Sequence, residues 1–171
     1  MTTSGMVRQF TGRVWKYGDN VNTDVIFPGK YTYTLKTPED IAAHALEDLD
    51  PEFAANVQTG DIVVAGSNWG CGSSREQAVS CLVLAGVRAV VARSFSRIWY
   101  RNALNNGLLA LECPAFVDLA SAGDTATISL TEALVTAGDG RTAAFKPLSD
   151  DVLRILDAGG LIPYIKQQMA D

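Results

Sequence analysis

Residues 9–15 alternate polar and apolar side chains up to Gly18-Asp19-Asn20, the period-two pattern of a half-buried strand ended by a turn. Val25-Ile26-Phe27 is a short apolar run stopped by Pro28-Gly29. Pro38-Glu39-Asp40 opens a stretch with apolar or small side chains at Ile41, Ala42, Ala45, Leu46 and Leu49, a helical spacing with Thr37 as N-cap and Pro38 in the first turn. Residues 61–65 are rich in β-branched side chains and close on Gly66, which predicts a buried strand entering a glycine-rich loop. Helical spacing returns over 76–84, Ala85-Gly86 stops it, and 88–92 reads as a second buried strand, so the three together make a strand–helix–strand crossover. A further helix is expected over 97–105, ended by Asn106-Gly107, followed by a strand over 108–111. Residues 125–130 and 141–145 alternate as antiparallel strands do, with Gly138-Asp139-Gly140 as a turn between them. The last stretch, 150–169, is helical in pattern and broken at Gly159-Gly160. This alternation predicts an α/β core, and no internal repeat interrupts it.

Composition narrows the class. A chain of 171 residues suits one domain, and 47% apolar with 19% charged residues is enough to build a core. The net charge of −5 disfavours a nucleic-acid partner, whose phosphates are held by surplus Lys and Arg. No apolar run reaches the roughly 20 residues of a membrane-spanning helix, and Met1 to Met6 lacks a leader pattern, so a cytoplasmic protein is expected. Cys71, Cys81 and Cys113 are too scattered for a disulfide framework or a ligand set, and His44 is the single histidine. His44 reads as an ordinary polar residue at the edge of its helix, and no metal site is expected within the chain.

Chemistry concentrates in Gly66-Ser67-Asn68-Trp69-Gly70-Cys71-Gly72-Ser73-Ser74-Arg75-Glu76, between the predicted strand and helix. Glycines let backbone N–H groups approach a ligand, a helix start offers unpaired donors, and the Arg75 guanidinium can take a carboxylate in two hydrogen bonds. Anions suit such a loop. Ser73 and Glu76 also have capping-box spacing, so Ser73 is either an N-cap or a functional hydroxyl. The loop lacks the Gly-Lys-Ser/Thr of a P-loop and the glycine spacing of a dinucleotide fingerprint.

These residues resemble the signature of the aconitase superfamily's swivelling domain, nearest in pattern to the small subunit of 3-isopropylmalate dehydratase. Two further blocks agree: Asp19-Asn20-Val21-Asn22-Thr23-Asp24 running on to Pro28, and Ser94-Phe95-Ser96-Arg97-Ile98 running on to Asn102. The resemblance spans most of residues 8–114, with an echo at Ala158-Gly159-Gly160-Leu161. It implies a swivelling β/β/α domain with a mixed sheet flanked by helices: one domain over 1–171, with a motif-bearing core at 8–114 and C-terminal strands and helix at 115–171. It also implies half of a hydro-lyase that moves a hydroxyl between adjacent carbons of a hydroxy-dicarboxylic acid through an alkene. The 4Fe-4S cluster of such enzymes is held by a larger partner subunit.

By the same resemblance Ser73 matches the catalytic base, Ser74 and Arg75 match substrate-binding positions, and Asp24 matches an acidic residue near the active site. The substrate-selecting loop falls on 28–36, with Thr32 or Tyr33 where relatives using tricarboxylates carry an arginine. Its absence favours an alkyl-substituted malate such as isopropylmalate, in leucine biosynthesis, with dimethylmalate, citramalate and homoaconitate as alternatives. A non-catalytic anion-binding or regulatory domain is the alternative from another class. Gln77 stands where the family often has histidine. Asp24 has a second reading as a turn residue, and Arg97, Tyr100, Arg101 and Asn102 read as surface positions of their helix. Trp15, Trp69 and Trp99 read as packing aromatics and Cys71 as a small packing residue.

Overall fold

The computed structural model describes residues 8–170; the Met1 to Met6 segment lies outside them. Seven strands form one sheet. In chain order the elements are β1 (Gln9–Lys16), α1 (Thr23–Ile26), α2 (Pro38–Ala43), α3 (Phe53–Asn56), β2 (Ile62–Ala65), α4 (Gln77–Leu84), β3 (Ala89–Ala92), α5 (Arg97–Asn105), β4 (Leu109–Glu112), α6 (Pro114–Leu119), β5 (Thr125–Ser129), β6 (Leu134–Ala137), β7 (Thr142–Ala144), α7 (Asp150–Ala158) and α8 (Leu161–Ala170). The strand order is β4-β3-β2-β1-β5-β6-β7. β1 joins two regimes, because its second half pairs in parallel with β2 (Val14 opposite Ile62) and its first half antiparallel with β5 (Gln9 opposite Ser129). β2, β3 and β4 continue in parallel, while β5, β6 and β7 form an antiparallel meander.

Side-chain alternation along the strands divides the core between the two faces of the sheet. Ile62, Val64, Val91 and Leu111 point into one cluster with Phe116 of α6 and Leu156 of α7. Val63, Ala65, Val90 and Ala110 point into the other, with Leu82 of α4, Trp99 of α5 and Phe53 of α3. β2 and β3 are buried at every position, as expected of strands covered on both faces.

The caps agree with the local sequence at several ends. Thr37 accepts from the Asp40 amide at 3.2 Å and opens α2 before Pro38. Ser149 accepts from Val152 at 3.2 Å to start α7, and Gly159 in the left-handed region ends it, separating α7 from α8. Other expectations are corrected. α2, expected to run on to Leu49, stops at Ala43, because the chain turns through Leu46 at φ 56° and buries it beneath Ile26, whose carbonyl accepts the Leu46 amide at 2.8 Å. His44 sits at the end of that helix as expected, half-buried, with its ring 4.2 Å from that of Tyr31 and its Nδ1 2.9 Å from Glu47. The Gly138-Asp139-Gly140 turn joins β6 to β7, and β6 stands between the two predicted antiparallel strands. β6 is four residues long with half-exposed Leu134 and Thr136, too short for its alternation to stand out.

Candidate active site

Three distant segments meet at the carboxyl ends of the parallel strands, where open α/β sheets place their ligands. The loop after β2 is laced into them as though the sheet continued. On one side the Asn20 amide donates to Ser67, Gly70 to Val21 and Thr23 to Cys71, each at 2.8 Å. On the other side Trp69 donates to Ser94 at 3.1 Å and Ser96 donates back to Trp69 at 2.9 Å. Asp19 and the Ser94 hydroxyl fasten the loop further, accepting from the Ser67 and Asn68 amides at 2.7 Å. Gly70 is held at φ 81° with its α-carbon against the Trp99 ring, so neither its backbone angle nor its surroundings admit a side chain. Trp69 and Trp99 meet edge to face at 6.0 Å, and Trp99 stacks on Phe95 at 5.5 Å. The loop therefore rests on an aromatic platform carried by α5, and both tryptophans are the packing residues expected.

α1 is capped by Asn22, whose Oδ1 accepts from Val25 at 2.9 Å. Asn22 thereby takes the turn-forming role, and Asp24 is left projecting from the first turn, where it forms an ion pair with Arg75. Arg75 is mostly enclosed and Asp24 mostly exposed, so the guanidinium is anchored from its protein side with a carboxylate at its rim. Ser73 is not an N-cap. α4 begins at Gln77, Glu76 holds the capping position, and no side chain caps the helix. The residues from Ser73 to Glu76 lead into the helix without belonging to it, and their four amides donate to no acceptor among the described residues. Ser73 and Ser74 are exposed and line a small recess with Thr23, Arg75, Ile98 and Asn102.

Thus Ser73, Ser74, Arg75 and Asp24 come together. Thr32 stands beside them, since its carbonyl accepts from the Gln77 side-chain amide at 3.5 Å. Tyr33 does not join the recess: it is 88% exposed on the outer surface of its loop. Asn102, which reads as a surface position of its helix, belongs to the recess together with Ile98; the signal was their place in the block that runs from Ser94 to Asn102. Ile98 is a half-exposed apolar side chain beside two serines.

The residues present do not suit an iron–sulfur cluster. Among the described residues no three His, Cys, Asp or Glu side chains gather as a metal site. Cys81 and Cys113 are buried, their thiols pushed up by burial and facing the carbonyls of Ile26 and Ala144. A cluster needs thiolates, which burial of this kind disfavours. No helix among the described residues is long and apolar enough to cross a membrane.

Known proteins show the same pattern. The Aconitase C-terminal domain family matches residues 6–115. The chain is 48% identical to the 3-isopropylmalate dehydratase small subunit 1 of Methanopyrus kandleri, over 92% of either chain. It is 44% identical to the isopropylmalate/citramalate isomerase small subunit of Methanocaldococcus jannaschii, over 94% of this chain and 95% of that one. The crystal structure of a 3-isopropylmalate dehydratase from the same organism superposes with a TM-score of 0.89 at 39% identity, covering 95% of this chain and 96% of that one. Sequence and overall structure agree, and the chain belongs to the aconitase C-terminal domain family as a member of its 3-isopropylmalate dehydratase small-subunit branch.

Proposed function

We propose that this chain is the small subunit of a 3-isopropylmalate dehydratase, a hydro-lyase that shifts a hydroxyl between adjacent carbons of isopropylmalate through an alkene diacid. A larger subunit carrying a 4Fe-4S cluster is its partner, a reading supported by the relatives named as small subunits. The chain acts as one swivelling domain that closes over the partner. The observation that carries the reading is the convergence of Ser73, Ser74, Arg75 and Asp24 beside a run of unpaired amides.

In this reading Ser73 removes the proton α to a carboxylate, leaving the electron pair to form the alkene as the hydroxyl departs on the partner's side. A serine hydroxyl is ordinarily a very weak acid, so its alkoxide needs donors and positive charge. The free amides from Ser73 to Glu76 and the Arg75 guanidinium supply both, and fixed donors of this kind are worth about 10²–10³ in rate each. Arg75 and Ser74 take a substrate carboxylate, with Asp24 ion-paired to one guanidinium nitrogen. Thr32 and Tyr33 belong to the selecting loop. Ile98 gives the surface beside Ser73 and Ser74 a half-exposed apolar side chain that suits an alkyl substituent.

A second substrate is favoured by one finding, the relative named for citramalate as well as isopropylmalate. The test is a reconstituted pair, cluster-bearing large subunit plus this chain, offered isopropylmalate, citramalate, dimethylmalate and homoaconitate. Highest kcat/KM on isopropylmalate is expected. Preference for citramalate moves the assignment to the second substrate, and no turnover of any diacid removes the reading.

A further inference from the structure

We propose that Gly29 is a positioning residue for Arg75, a role that rests on the carboxylate-clamp reading of that arginine. Gly29 opens the 3₁₀ turn Gly29–Tyr31 at the start of the substrate-selecting loop. Its φ lies outside the left-handed region, so the backbone itself would accept any residue. What excludes a side chain is the ion pair. A β-carbon there would sit 2.5 Å from Arg75 Nη1, 2.9 Å from Nη2 and 2.8 Å from Asp24 Oδ1. The glycine is the floor on which the guanidinium and carboxylate meet.

Neither side of this contact has equal freedom to yield. The turn is fixed by the Tyr31 amide donating to Pro28 and the Thr32 amide donating to Gly29, both at 3.1 Å. The Tyr31 ring is packed against His44 at 4.2 Å and Phe27 at 6.2 Å, and Gln77 holds Thr32 from the far side. Pro28, just before the glycine, is buried. Arg75, by contrast, reaches the contact with the end of a long side chain. A methyl group at position 29 would therefore move the guanidinium and leave the backbone in place. The displaced guanidinium loses its registration on Asp24 and its aim at a bound carboxylate, while folding is barely affected. Gly29 thus couples the selecting loop to the clamp: the position of the loop sets the position of the arginine.

Gly29→Ala tests this in the reconstituted pair and in the isolated full chain. The urea midpoint of the variant chain should match that of the wild type. KM for isopropylmalate should rise about tenfold or more, the loss expected when a charge-assisted two-point contact is misaligned, with a smaller change in kcat. Arg75 should also report directly. Its Nε–H resonance, assigned by its disappearance in Arg75→Lys, should shift in Gly29→Ala and in Asp24→Asn in the same direction. An unmoved Arg75 resonance overturns the proposal, as does unchanged KM in a pair whose wild type is active. So does a variant that fails to fold, since the backbone would then have absorbed the methyl. If the wild-type pair turns over no diacid, the functional reading fails on its own, and the resonance still decides whether Gly29 places Arg75.

Discussion

Ser73 is the base in the proposed reaction, and its setting separates two roles that the sequence alone leaves open. Capping-box spacing with Glu76 is present, yet α4 begins too late for Ser73 to use it, so its hydroxyl is exposed at the recess. A base that transfers one proton contributes about 10²–10⁴ in rate. Ser73→Ala should lower kcat of the reconstituted pair by that order and leave both the urea midpoint and affinity for the large subunit unchanged; an unchanged kcat would remove Ser73 from the reaction. Asp24 shows why such detail was hidden. The string Asn22-Thr23-Asp24 offers two side chains able to make the same turn, and only the structure shows Asn22 taking it and freeing Asp24 for Arg75. Gly29 was invisible for the opposite reason, since Pro28-Gly29 reads as an ordinary chain stop and nothing local announces an arginine from position 75.

Among the elements, those with strong local signals were legible. The helix expected over 97–105 is α5 to the residue, and the crossover from β2 through α4 to β3 follows its β-branched and helical runs. α3, α6 and β6 were missed because each is four to six residues long and gains its stability from packing rather than from periodicity. The pinning of β1's end was equally silent. Tyr17, just past β1, donates its phenol hydrogen to Asp50 at 2.9 Å, and burial followed by that carboxylate pushes its ionisation well above the ordinary phenol value. A raised phenol favours the folded state fully below the unfolded pKa of about 10 and loses that contribution as pH rises beyond it. Denaturant midpoints measured from neutral to strongly alkaline pH should therefore fall above about pH 10. In Tyr17→Phe the alkaline decline should be shallower, at a cost near neutrality of about 1 kcal/mol for the lost hydrogen bond. An identical alkaline slope in both proteins would show that Tyr17 ionises freely in the folded chain.

For the molecule as a whole, the sheet is a frame that brings one loop between two segments far from it in sequence. β1, β2 and β3 end at one edge, and the chain beyond them forms the cross-links that turn three short motifs into one recess. In the proposed reading this is half of an active site, with donors, an arginine and a serine on this side and, among the described residues, no cluster of three metal-ligating side chains. The central claim is that catalysis is assembled between this chain and a cluster-bearing subunit. It is tested most directly by titrating the chain into a fixed amount of that subunit while following ultraviolet absorbance of the conjugated alkene diacid. Turnover should be absent at the start and should rise to saturation with the wild-type chain. Ser73→Ala should give almost none and suppress the wild-type rate by competing for the partner. A large subunit that reaches the saturated rate alone, or with Ser73→Ala as readily as with the wild type, would contradict the account.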